Sequence, residues 1–150
     1  MRENKSESMT RAVLDTNILI RMAAGGSRSE LFNRWQAKRF EVVMSFSTLT
    51  ELRIVLARPE ILEYVTGKST QEFLLFVDEH AHFVQPNLSA PTCRDPEDTS
   101  LIATAVGGKV NFLVSADPDL LDDGKLIAEL SQLWIRVMRV AEFFKAIDNS

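Results

Sequence analysis

The chain has 150 residues, 45% hydrophobic and 25% charged, with a formal net charge of −4. That length and mix fit one globular domain and exclude disordered, collagen-like and coiled-coil classes, and no apolar run approaches the ~20 residues of a membrane span. A single cysteine, Cys93, leaves no internal disulfide and no multi-cysteine zinc site, so a cytoplasmic location without a membrane partner is expected. The charge is uneven: residues 1–58 carry a net +4 and residues 59–150 a net −8. The total therefore leaves a polyanionic partner open.

Residues 1–10 are polar and read as a flexible N-terminal tail, followed by a single domain over 11–147. Arg11–Asp15 predicts a buried strand, with a helix beginning near Asn17. Ser29–Arg39 predicts a helix that buries Leu31 and Trp35, and Glu41–Ser45 a second strand. Thr48–Ala57 repeats Leu49, Leu52, Val55 and Leu56 at helical spacing. Ser69–Ala81 is a further helix, its start marked by a Ser69/Glu72 capping box. His82–Gln85, ended by Pro86, is a weaker strand. Asp98–Gly107 predicts a helix stopped by Gly107-Gly108, and Val110–Ser115 is the clearest strand. Ile135–Met138 is a last weak strand, and Ala141–Ile147 packs on the sheet or on a dimer partner. This alternation implies an α/β fold of three layers, α/β/α, around a central mostly parallel sheet of four to five strands. In such sheets ligands bind beyond the carboxyl ends of the strands.

Four segments deliver a carboxylate to that edge. Asp15 ends the first strand, Glu51 lies in the helix after the second, Asp98 opens the helix after Asp95-Pro96, and Asp117 follows Ser115, with Asp119 two residues on. Each has a local explanation. Asp15, Asp95 and Asp117 suit helix caps, the last two with proline at the next position, and Glu51 can complete a capping box with Thr48. Caps need not converge on one edge of one sheet, however, and carboxylates crowded together repel unless a cation neutralises them. Oxygen donors without clustered Cys or His select hard ions, so one or two Mg²⁺ or Mn²⁺ are expected, activating a water for phosphodiester hydrolysis. Arg28, Arg34, Lys38 and Arg39 are either a solvated helix face or a rim of phosphate contacts around an acidic centre. His80 and His82 read as surface residues.

The motifs V-L-D-T-N (Val13–Asn17), T-L-T-E-L-R-I-V-L-A-R-P (Thr48–Pro59), C-R-D-P-E-D-T-S-L-I-A-T-A (Cys93–Ala105) and L-V-S-A-D-P-D-L-L (Leu113–Leu121) resemble the PIN-domain ribonucleases. Their order and spacing are similar to the branch of toxin components of toxin-antitoxin systems. The resemblance implies metal binding and catalysis by Asp15, Glu51, Asp98 and Asp117, with Asn17, Asp95, Ser115 and Asp119 in supporting or substrate-contacting places. It also implies an RNA substrate, an antitoxin protein that blocks the site, and a homodimer. One departure is Thr99, where relatives commonly carry Asp or Asn after the third acid. The expectation is thus a metal-dependent endoribonuclease, the toxin of a type II pair. The alternatives are a catalytically silent PIN-derived module that binds metal or nucleic acid, and a phosphatase of haloacid dehalogenase type. The latter needs a second aspartate where this chain has Asn17.

Overall fold

The apolar runs pair into one sheet in a computed structural model that describes residues 9–93 and 95–149, so most of the expected tail over 1–10 lies outside the described residues. The strands are β1 (Arg11–Leu14), β2 (Glu41–Met44), β3 (His82–Phe83), β4 (Phe112–Val114) and β5 (Arg136–Met138). They lie in the order β3-β2-β1-β4-β5, and every pairing is parallel, with Ala12 opposite Val42, Val13 opposite Leu113, and Leu113 opposite Val137. The chain builds outward from β1 to β3 on one side, then crosses to β4 and β5 on the other. The strand order therefore reverses between β1 and β4, where a crevice opens at the carboxyl edge.

Helices cover both faces, as side-chain alternation along the strands requires. Ala12, Leu14, Val42, Met44 and Val114 face one core with α1 (Thr16–Gly25), α2 (Glu30–Gln36), α3 (Phe46–Leu56), α5 (Gly67–His80) and α9 (Val140–Asp148). Val13, Val43 and Leu113 face the other, with α6 (Thr99–Gly107), α7 (Pro118–Leu121) and α8 (Gly124–Gln132). Phe143 on α9 is fully buried, its ring edge-on to Phe40 at 4.9 Å, so the C-terminal segment packs on the sheet. Trp35 is buried at 3% exposure.

Several boundaries depart from the sequence reading. The α5 helix starts two residues earlier than Ser69, because the Thr66 side chain accepts from the Ser69 amide at 3.0 Å, and Ser69 supplies an N3 amide instead of the cap. The capping box of α3 pairs Ser45 with Thr48, so Glu51 is not part of it. One-turn helices α4 (Pro59–Leu62) and α7, each opened by proline, and the longer α8 have no counterpart in the periodicity reading. The β3 strand is two residues long and exposed, as its place at the sheet edge allows.

The helices α2, α6 and α8, which return the chain to β2, β4 and β5, end alike. Lys38, Lys109 and Trp134 take φ of 62°, 51° and 66° just past the helix. In each the amide of that residue and of the next donate back to carbonyls of the last turn, as Lys38 to Trp35 and Arg39 to Arg34. These are Schellman ends with a side chain where glycine is usual, a conformation that costs roughly 1–2 kcal/mol for an L-residue. Trp134 is 87% exposed, so little packing offsets that strain. Trp134→Gly is expected to raise stability by about 1 kcal/mol in urea unfolding. Gly107 is the opposite case, since a Cβ there would collide with the Gln85 carbonyl oxygen of the segment after β3. Gly107→Ala is expected to lower stability by about 2–3 kcal/mol in the same measurement.

Candidate active site

The carboxyl edge beside β1 and β4 opens into a cleft of about 290 Å³ lined by Asp15, Glu51, Asp98 and Asp117, together with Asp95, Glu97, Thr16, Asn17 and Arg58. Local structure explains each placement. Asp15 is buried and caps α1, its Oδ1 accepting from the Ile18 amide at 3.0 Å. Its Oδ2 accepts from the Ser115 hydroxyl and from the Ala116 amide. Ser115 Oγ in turn accepts from the Asp117 amide at 2.9 Å, so one buried hydroxyl ties the ends of β1 and β4 and sets the spacing of two acids. Glu51 is carried into the cleft on α3, whose start is anchored by Ser45. That hydroxyl also reaches Thr104 on α6 at 2.7 Å. Asp95 and Asp117 each cap a short turn through Oδ1, accepting from the amides of Glu97 and Asp119.

Asp98 behaves differently. It occupies the cap position of α6 but makes no side-chain capping bond, and its buried Oδ2 has no hydrogen-bond partner. Burial, and then the charges of Asp117, Asp95 and Asp15, push its pKa up to about 7. Burial also raises Glu51, while Thr16 and Arg58 pull it back. An unpartnered buried carboxylate oxygen amid like charges is the donor set a hard divalent cation satisfies. Oxygens of Asp95, Asp117 and Asp119 lie within 4.8 Å of one another, and no other such acidic, His or Cys triple occurs among the described residues. The closest grouping thus includes the two aspartates that the sequence reading assigned to supporting places.

A PIN domain profile matches residues 11–119. The chain belongs to the PIN-domain family. No curated protein matches it in sequence. The fold is similar to that in "Crystal structure of PAE2754 from Pyrobaculum aerophilum", with a TM-score of 0.59 at 15% identity over 94% of this chain and 91% of that one. PIN domains are usually nucleases that bind divalent metals, and a nucleic-acid substrate follows from that membership.

The PIN domain brings Asp15, Glu51, Asp95, Asp98 and Asp117 to one cleft, with Asp119 beside Asp117 but outside the lining, and Asn17 stands exposed among the lining residues. It does not bring the basic stretch to them. Arg34 pairs with Asp148 at 2.9 Å and lies over the Phe144 ring, while Arg39 donates to the Ile147 carbonyl at 3.2 Å, so both serve to fasten α9. Lys38 precedes β2 and Arg28 follows α1, which places both toward the opposite edge of the sheet. Arg58 and Glu97, which sequence reasoning passed over, line the cleft in their stead. Position 58 was legible as the basic residue that precedes Pro59 just past the helix carrying Glu51. His80 and His82 are exposed and outside the cleft.

The raised Asp98 pKa has a signed consequence. Between the ordinary aspartate value near 4 and about 7, the folded chain holds a proton that the unfolded chain releases, so the metal-free protein loses stability as pH rises through that window. In EDTA at pH 8, Asp98→Asn is expected to be more stable than the parent by about 1 kcal/mol, discounted for solvent screening of a partly exposed group. The gap closes toward pH 4, as read by thermal unfolding.

Proposed function

We propose that this PIN domain is a Mg²⁺- or Mn²⁺-dependent endoribonuclease and the toxin of a toxin-antitoxin pair. The observation that carries the reading is the convergence of Asp15, Glu51, Asp98 and Asp117, from four separate segments, on one cleft at the strand-order reversal. These four would hold one or two ions, and Asp95 and Asp119 add negative charge beside Asp117. When bound, the metal neutralises the acids, polarises the scissile phosphate and lowers the pKa of the attacking water. Ser115 holds Asp15 aimed, since its hydroxyl donates to the carboxylate. Glu51 orients the water, and Asn17 offers its amide to the substrate from the cleft lip.

Single-stranded or looped RNA is favoured as substrate, because a flexible backbone reaches a recessed acidic pocket more readily than a duplex does. The choice of RNA, the antitoxin that covers the cleft and the homodimer rest on the order of the four motifs. The test is cleavage of mixed-sequence single-stranded RNA by the antitoxin-free chain, with and without Mn²⁺. The parent is expected to cut only with metal, and Asp15→Asn and Asp98→Asn to lose about 100-fold or more of that rate, comparable to losing a preorganised charge contact. Cleavage in EDTA, or undiminished cleavage by both variants, sinks the mechanism. Binding without cleavage points to an interaction module instead.

A further inference from the structure

Six carboxylates line the cleft, and among the described lining residues there is one cation, Arg58. It sits just past the helix that carries the glutamate: Glu51 and Val55 on α3, and Arg58 two residues beyond its end, all border the cleft. The backbone around Arg58 is fixed from both sides. Ala57 closes α3, and Pro59 holds Arg58 extended at φ −69°, ψ 140° as the residue that opens α4. The Arg58 carbonyl accepts from the Ile61 and Leu62 amides at 3.0 and 3.1 Å. The side chain, in contrast, is exposed, and among the described residues no hydrogen bond or ion pair engages its guanidinium. Arg11, Arg34, Arg39 and Arg53 all have carboxylate partners. Arg58 is near enough to Glu51 to lower its pKa, yet it is left available.

An unpaired arginine on a fixed backbone beside a cluster of carboxylates is poorly explained by folding alone. A phosphodiester strand entering the cleft meets a surplus of negative charge, and two divalent ions would offset only part of six carboxylates. A guanidinium meets a phosphate through two parallel hydrogen bonds, a geometry lysine does not offer. Arg58 lies seven residues beyond Glu51 and two beyond the last residue of α3, so it borders the cleft from outside the helix that carries Glu51. The four acids assigned to the metal take the phosphate that is cut, which leaves a neighbouring phosphate for Arg58. We infer that Arg58 binds a backbone phosphate of the nucleic-acid substrate next to the one that is cut. It is a positioning residue, and the inference rests on the nuclease reading of this same cleft.

The test compares the parent with Arg58→Ala, Arg58→Lys and Arg53→Ala, using a fluorescein-labelled single-stranded RNA. Cleavage is followed with Mn²⁺, and binding by fluorescence anisotropy with Ca²⁺. Arg58→Ala is expected to raise KM and Kd about tenfold, the worth of one charged hydrogen-bonded contact, with kcat within about threefold of the parent. Its binding should depend less on salt, the slope of log K against log salt falling by about 0.7 for one lost contact to a single strand. Arg58→Lys should restore the salt slope but only part of the affinity. Arg53→Ala, whose arginine pairs with Asp78 outside the cleft, should match the parent. Equal melting temperatures exclude a folding effect. If the parent is active and Arg58→Ala keeps its KM, Kd and salt slope, or loses kcat alone, this inference fails and the nuclease reading stands. A parent that binds RNA without cutting it removes the nuclease reading, and the anisotropy series then decides Arg58 by itself. A parent that neither binds nor cuts overturns both.

Discussion

Like charge gathered at one edge of the sheet is the constraint on which the rest of the molecule depends. Aspartates held as near as those of this cleft would move apart in a pliable structure, and here they cannot. Asp15 ends the central strand and is gripped by Ile18, Ser115 and Ala116, while Asp117 is tied to the same Ser115 hydroxyl. Burial first, and then repulsion that cannot relax through motion, is expressed as proton affinity at Asp98 and Glu51. Parallel pairing of β1 with β4 thus acts as a clamp on the acids that end the two strands.

Capping and metal binding first look like competing explanations for these acids. The hydrogen bonds show them to be compatible, because a carboxylate has two oxygens. Asp95 and Asp117, which both line the cleft, each spend Oδ1 on a backbone amide of their own turn, and the cap does not use Oδ2. Asp98 lies at a helix start without capping it, and it is the acid whose environment is most perturbed. Asparagine keeps the cap and removes the charge, so it separates the two roles where alanine would confound them.

Much of the architecture was legible because parallel strands buried on both faces read as short apolar runs, and because each strand-end acid stood in its own motif. The order β3-β2-β1-β4-β5 was not, since apolar runs carry no record of their neighbours. Helix starts were harder to place than helices. Thr66 caps α5 from three residues before the Ser69 signal, and Ser45 does the same for α3. Helix ends were hidden by side chains at positions where glycine is the usual signal, as at Trp134. The basic stretch misled because charge along a sequence does not reveal its partner: Arg34 and Arg39 answer the acidic end of α9 from more than a hundred residues away. Arg58 was overlooked for the complementary reason, being a cation in a motif read for its glutamate.

The three strained helix ends all precede strand starts, so they lie at the edge of the sheet away from the cleft. One side of the molecule therefore concentrates electrostatic tension that activity requires, while the other carries backbone tension that it does not. Relief at Lys38, Lys109 or Trp134 supplies a stability reserve spatially independent of the acids, and distant effects of this kind add. Substitutions that compromise folding through the cleft can thus be compensated from the far side without altering the arrangement under study.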